Sequence, residues 1–145
     1  MPAWVTEGFR EYAKRLPPAL SLTLVEVPMA ARTRRGDVAR WRQEEGARLL
    51  QALPRDCHLV ALDVKGRGCS TEALARTLSD WMTEGRPVAF LVGGPDGLDE
   101  ACLARAAWRW SLSPLTFPHP LVRVILVEQI YRALSLLRHH PYHRA

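Results

Sequence analysis

Two short apolar runs, each followed by a turn and an amphipathic segment, constrain the fold of this chain most strongly. The runs are residues 59–64 and residues 88–92. Their length suits buried strands, since a strand that is covered on both faces is apolar throughout. Between them, Leu74, Leu78 and Trp81 recur at the spacing of one helix face. Strands that alternate with helices predict an α/β domain with a largely parallel sheet.

The N-terminal segment predicts a helix followed by a strand. Apolar residues recur at helical spacing over residues 3–16, and Pro17 and Pro18 stop that helix. Apolar and polar residues then alternate over residues 20–27, a pattern that predicts a half-buried strand.

Helix caps define the middle of the chain. Asp37 is a candidate N-cap for a helix that ends near Leu53, and Ser70 is one for a helix that ends near Gly85. The segment of residues 65–68 between the first apolar run and Ser70 is predicted to be a loop. A shorter helix over residues 100–107 and a last strand over residues 108–112 complete the alternation.

The last predicted helix, residues 121–137, is apolar over two faces. A helix that is apolar over so wide an arc is either wrapped inside its own domain or shared with a partner subunit. We expect the second arrangement, a homodimer.

Length and composition exclude several classes. The chain has 145 residues, of which 48% are hydrophobic, as in a single globular domain. It has no apolar run of about 20 residues that could span a membrane, and its first residues do not resemble a signal peptide, so a cytoplasmic protein is expected. Cys57, Cys69 and Cys102 lack ligand spacing, which predicts reduced thiols and no metal site.

The formal net charge of +5 comes almost entirely from arginine, since only Lys14 and Lys65 are lysines. A GC-rich genome also favours arginine, so the total suggests an anionic partner without establishing one. Arginines crowd residues 32–42, and arginines and histidines crowd residues 138–144. Two such patches could bind a phosphate backbone.

Two segments carry candidate chemistry. Residues 93–97, Gly-Gly-Pro-Asp-Gly, directly follow a buried strand, where open α/β sheets bind ligands. They match neither a Walker loop nor a dinucleotide fingerprint, and such a sequence is often only a tight turn. Residues 111–120 contain three prolines, which restrain the backbone. Together the segments suit an adenine-containing ligand that is recognised mostly by main chain.

Longer motifs then identify a resemblance. The runs FLVGGPDGL, WSLSPLTFPHPLVRVILVEQIYRA and HHPYHRA are similar to the signature of the 23S rRNA pseudouridine N3-methyltransferase family of the SPOUT superfamily, and the similarity covers essentially the whole chain. The resemblance implies a single-domain SPOUT-type α/β fold with a C-terminal trefoil knot, an obligate homodimer, S-adenosylmethionine as cofactor, and rRNA within the ribosome or large subunit as substrate.

The resemblance also implies where the methyl donor binds. Its pocket corresponds to eight positions: Leu62, Gly93, Leu112, Ser113, Pro114, Leu115, Thr116 and Phe117. From the residues alone, the Gly93 turn and the residue 112–117 segment are candidates, whereas Leu62 would be assigned to the core.

The acceptor chemistry points to four further residues. The N3 imino group of pseudouridine is protonated at neutral pH, so a base or a stabilising cation should assist. His119 is a candidate base or a structural hydrogen-bonder, and Arg123 a candidate cation or a salt-bridge partner of a residue such as Glu128. Tyr142 and His143 lie in a tail that would ordinarily fray. The resemblance implies that this tail is part of an active site that is completed across the dimer.

One departure from the family pattern is expected to matter. Its members usually open with a short apolar strand before the segment that begins here at Met1, so about one strand of the expected sheet is absent from this sequence. A start site assigned too far downstream is the expected cause, and a chain that truly begins here is expected to have an exposed sheet edge.

Two rival functions remain open from sequence. A non-enzymatic RNA-binding or ribosome-assembly factor would use the basic patches without binding a methyl donor. A nucleotide hydrolase would use residues 93–97 for phosphate, but it lacks the lysine and the magnesium ligands that this chemistry needs.

Overall fold

The computed structural model describes residues 2–31 and 36–144. Along the chain these form α1 (Ala3–Ala13), α2 (Val38–Gln51), β1 (His58–Arg67), α3 (Thr71–Glu84), β2 (Val88–Leu91), α4 (Glu100–Arg105), β3 (Trp108–Trp110) and α5 (His119–Leu137), with 3-10 helices at Pro18–Leu20 and Pro141–His143. No helix among these residues is long and apolar enough to cross a membrane.

The sheet confirms the α/β prediction. Its strand order is β2-β1-β3, and β1 pairs in parallel with both neighbours. Val60 lies opposite Phe90 of β2 and Trp108 of β3. The carboxyl ends of the three strands therefore meet at one edge, which is where ligands bind in such sheets.

The predicted caps are confirmed. The Asp37 carboxylate accepts a hydrogen bond from the Ala39 amide at 2.9 Å, and the Ser70 hydroxyl accepts one from the Ala73 amide at 3.1 Å. Gly85 ends α3 with a φ of 74°, a left-handed conformation that favours glycine. These signals are local, which is why the sequence identifies them.

The chain divides into two compact units. Met1–Thr23, Cys69–Gly85 and Phe117–Ala145 form one, here called the helical unit, and Leu24–Gly68 and Arg86–Thr116 form the other, the sheet unit.

The core of the sheet unit lies between the strands and their covering helices. Leu59, Ala61, Leu91, Leu98 and Cys102 form a buried cluster, against which side chains of α2 and α4 pack. The Cys102 thiol donates a hydrogen bond to the Gly46 carbonyl at 3.6 Å. Burial, reinforced by Asp99, raises the pKa of Cys102 to about 12, so this thiol is unreactive at neutral pH.

The helical unit is built around α5, which packs against α1 and α3. Val5 of α1, Leu74 of α3 and Val127 of α5 are among its fully buried side chains. The Thr71 hydroxyl donates a hydrogen bond to the Gln129 side-chain oxygen at 3.0 Å, which joins α3 to α5.

Two local predictions were wrong. Residues 20–27 form no strand, and Leu24 and Val25 are 38% and 61% exposed. Alternation produces a strand only where a neighbouring strand binds the backbone, and in the described chain none pairs with this segment. Residues 65–67 belong to β1 instead of a loop, because Arg67 pairs with Trp110 of β3. Arg32, Arg34 and Arg35 of the predicted basic loop lie outside the described residues.

Candidate active site

Leu62 and the turn that begins at Gly93 both lie at the carboxyl edge of the sheet. Leu62 is half-buried and pairs with Trp110, while Gly93 follows the end of β2. Because the strands are parallel neighbours, the segment that follows Trp110 starts from the same edge. The sheet unit thus positions three of the regions to which donor binding was assigned.

The glycine turn is closed by its own backbone. Gly94 and Gly97 form a bridge in which the Gly97 amide donates to the Gly94 carbonyl at 3.0 Å, and Gly97 has a φ of 79°. A Cβ atom on Gly93 would lie 2.7 Å from the Gly97 carbonyl carbon. Gly93 is therefore required for the turn itself, whatever the turn binds.

Residues 111–116, here called the donor loop because the sequence predicts that they bind the methyl donor, are shaped by two serines. The Ser111 hydroxyl donates to the Ser113 carbonyl at 2.9 Å, and the Ser113 hydroxyl accepts from the Leu115 amide at 3.0 Å. Leu112 and Ser113 are half-buried, whereas Pro114, Leu115 and Thr116 are exposed.

The donor loop has main-chain groups left to offer a ligand. Within the described residues, the amides of Leu112, Ser113 and Thr116 form no hydrogen bond. Leu115 presents an apolar side chain that is 68% exposed. Free amides beside an apolar side chain fit an adenine ring that is recognised by main chain. The half-buried Phe117 is assigned to the helical unit.

His119 is the first residue of α5 and is half-buried. Burial, together with the nearby positive charge of Arg123, lowers the pKa of His119 below its ordinary value of 6.5. The imidazole is therefore neutral at pH 7 and can accept a proton. These two candidate residues lie one turn apart on the same helix, and the charge of Arg123 keeps His119 unprotonated while making it a weaker base.

The side chain of Tyr142 attaches the C-terminal tail to α1 and α5. Its ring lies 4.6 Å from that of Tyr131 and 6.4 Å from that of Tyr12, between ring centroids. Its hydroxyl donates to the Glu128 carboxylate at 3.1 Å. Burial, with further contributions from Tyr12 and Glu128, raises the pKa of Tyr142, so the phenol stays protonated. Tyr142 is a hydrogen-bond donor and an aromatic surface, not a base.

Two arginines surround these tyrosines, and sequence reasoning did not identify either. The guanidinium carbon of Arg15 lies 5.0 Å from the Tyr12 ring centroid and 5.5 Å from that of Tyr131. That of Arg132 lies 5.0 Å from the Tyr142 ring, and Arg132 pairs with Glu128 at 2.8 Å.

We call Tyr12, Arg15, Glu128, Tyr131, Arg132 and Tyr142 the tyrosine cluster. In it, Glu128, one example of a salt-bridge partner considered for Arg123 from sequence, binds Arg132 and Tyr142. The one-turn spacing of Glu128 and Arg132 was the available signal. The side chain of His143 lies outside the described part of the structure.

No group of three or more His, Cys, Asp or Glu side chains among the described residues could hold a metal ion.

Comparison with known proteins gives a consistent result along the chain. A family model described as "Predicted SPOUT methyltransferase" matches residues 1–143. The ribosomal RNA large subunit methyltransferase H of Thioalkalivibrio sulfidiphilus is 62% identical over 99% of this chain and 92% of its own length. Proteins of the same name from Alkalilimnicola ehrlichii and Hydrogenovibrio crunogenus are 60% and 54% identical, over 100% and 99% of this chain and 93% and 92% of theirs.

Proposed function

Since the chain belongs to the SPOUT methyltransferase family, we propose that it transfers a methyl group from S-adenosylmethionine to N3 of a pseudouridine in 23S rRNA. The observation that carries this proposal is the similarity to rRNA large subunit methyltransferases over almost the full length of both proteins. A ribosomal substrate would place the protein in the cytoplasm.

The sheet unit supports the donor half of the proposal. S-adenosylmethionine supplies an electrophilic methyl group on a sulfonium. Leu62, the Gly93 turn and the donor loop would bind its adenosine portion, since they combine unpaired amides with apolar side chains at the ligand-binding edge of the sheet. Phe117 completes the proposed set.

The helical unit supports the acceptor half. His119, neutral because its pKa is lowered, would accept the N3 proton, and the charge of Arg123 would stabilise the anionic ring that results. Tyr142 and His143 are proposed to contact the substrate from the tail. Tyr142 would do so as a donor, because its phenol stays protonated.

We infer further that the chain acts as a homodimer and forms a single SPOUT-type domain with a C-terminal trefoil knot. The match of the family model to residues 1–143 supports a single domain. The first turns of α5 support the dimer. Leu121, Val122, Val124 and Ile125 are all apolar and only half-buried in the chain's own structure.

The test is incubation with labelled S-adenosylmethionine and ribosomes from a strain that lacks the corresponding gene, followed by mapping of the modified nucleotide. Free rRNA, isolated large subunits and whole ribosomes are compared to identify the substrate. An RNA-binding factor would bind the ribosomes in a salt-dependent manner but transfer no methyl group.

A further inference from the structure

The end of β1 departs from regular pairing and carries two basic side chains. Leu62 and Arg67 both pair with Trp110, so residues 63–66 form a bulge between them. The Asp63 carboxylate accepts a hydrogen bond from the Lys65 amide at 3.1 Å. A Cβ atom on Gly66 would collide with the Arg109 carbonyl, so the bulge lies directly against β3. Lys65 and Arg67 are exposed on this closely packed backbone.

An aromatic stack lies beside the bulge. The guanidinium carbon of Arg67 is 5.9 Å from the ring centroid of Trp108, and Trp108 stacks on Trp110 with centroids 4.8 Å apart and an interplanar angle of 24°. Trp110 is only 3% exposed, which anchors the stack in the core. The Arg67 carbonyl accepts hydrogen bonds from the Trp108 indole at 3.3 Å and from the Ser111 amide at 3.1 Å.

The charges of Lys65 and Arg67 are not neutralised locally. Neither forms an ion pair with a carboxylate among the residues that the structure describes, in contrast to Arg15, Arg40 and Arg132. Two cations without acidic partners attract an anion, and a guanidinium above an indole offers a flat surface on which a base can stack. A ligand that offers both a phosphate and a base to such a surface is a nucleotide.

We propose that Lys65, Arg67 and Trp108 form a second nucleotide contact, in addition to the contact with the nucleotide that is methylated. It binds a single-stranded nucleotide of the rRNA substrate. Lys65 and Arg67 would bind its phosphate, and its base would stack on the guanidinium of Arg67. The contact rests on the proposed function, since it takes its ligand from the RNA to be methylated. Arg67 also binds Ser111, the first residue of the donor loop, so RNA held here would be aligned with that loop.

The test compares Arg67→Ala and Lys65→Ala with Arg105→Ala, a control that removes one exposed positive charge from the same unit. Single-turnover methylation of unmodified ribosomes is measured at saturating donor over a range of ribosome and potassium chloride concentrations. Sedimentation measures ribosome binding separately.

The expected result is a half-saturating ribosome concentration roughly tenfold higher for Arg67→Ala, with a maximal rate close to that of the wild type. The slope of the logarithm of the binding constant against the logarithm of the salt concentration should fall by about one for each cation removed, because each removal loses one phosphate contact. Arg67→Lys should keep the salt dependence but lose the part of the affinity that comes from stacking. Arg105→Ala should match the wild type.

The outcomes separate the alternatives. Unchanged ribosome affinity and salt dependence in folded Arg67→Ala and Lys65→Ala would overturn the second contact. So would a weakened affinity for S-adenosylmethionine in calorimetry, because the cations would then bind the donor's carboxylate. If the wild type binds ribosomes through Arg67 but methylates nothing, the contact stands and the proposed function fails. If circular dichroism shows that Arg67→Ala is unfolded, the comparison of Arg67→Lys with Lys65→Ala decides instead.

Discussion

Gly93 and Gly94 are adjacent but have different surroundings. A Cβ atom on Gly93 would lie 2.7 Å and 3.0 Å from the carbonyl carbon and oxygen of Gly97, whereas one on Gly94 would meet only the Glu45 carboxylate at 3.5 Å. Gly93→Ala should therefore distort the turn, lower the free energy of unfolding by about 1–3 kcal/mol, and weaken donor binding at least about tenfold. Gly94→Ala is the matched control. Calorimetry with S-adenosylmethionine and thermal unfolding measure both effects, and a Gly93→Ala protein with wild-type donor affinity would remove this turn from the proposed pocket.

His119 makes a prediction about pH. Its pKa lies below 6.5 in the folded protein, so as the pH falls the unfolded chain binds a proton before the folded one does. Stability should decline as the pH falls through 6.5, and His119→Asn should lessen that decline. If His119 is the base, the acid limb of the pH–rate profile should also lie below 6.5. A limb centred above this value, or one that persists in His119→Asn, would assign the base elsewhere.

Among elements, the helices were predictable from sequence, whereas the strand that the sequence predicts at residues 20–27 does not form. The Asp37 and Ser70 caps are local, so α2 and α3 start where the sequence predicts. A strand depends on a partner that local alternation does not reveal. The pairing of Arg67 with Trp110 was missed for the same reason, since it joins residues far apart in the chain.

The candidate site likewise has parts with a local sequence signal and parts that depend on residues far apart in the chain. The glycine turn and the donor loop have local signals, glycine and proline, and could be found from residue type alone. Leu62 looks like any core residue, and only the family resemblance selects it. The tyrosine cluster joins residues of α1, α5 and the tail through tertiary packing, so Arg15 and Tyr12 carried no sequence signal of their own.

The tail is held by the tyrosine cluster, and two neighbouring cations test this. Lys14 and Arg15 both pair with Glu11, at 2.8 Å and 2.7 Å, but of these two cations only Arg15 also contacts the tyrosine rings in the described part of the chain. Arg15→Ala should lower the single-turnover rate about tenfold or more, as deletion of residues 142–145 should, because the tail loses its position. Donor affinity should not change. Lys14→Ala should behave as wild type, and equal effects of the two substitutions would assign the loss to Glu11 instead.

For the whole molecule, the first turns of α5 predict association. Val122, Val124 and Ile125 remain half-buried in the chain, whereas Val127 and Ile130 further along are buried. A second subunit would bury the remaining apolar surface. Light scattering at micromolar concentration should give the mass of two 145-residue chains. A monodisperse monomer would contradict the proposed dimer.

The central claim is methyl transfer to a pseudouridine of 23S rRNA, and mapping the product tests it most directly. Unmodified ribosomes are incubated with the protein and labelled S-adenosylmethionine, and the 23S rRNA is then digested and its labelled nucleotide identified by mass spectrometry. The prediction is one labelled position, a pseudouridine that carries the methyl group on N3. Label on another base, or ribosomes that are bound but never labelled, would contradict it.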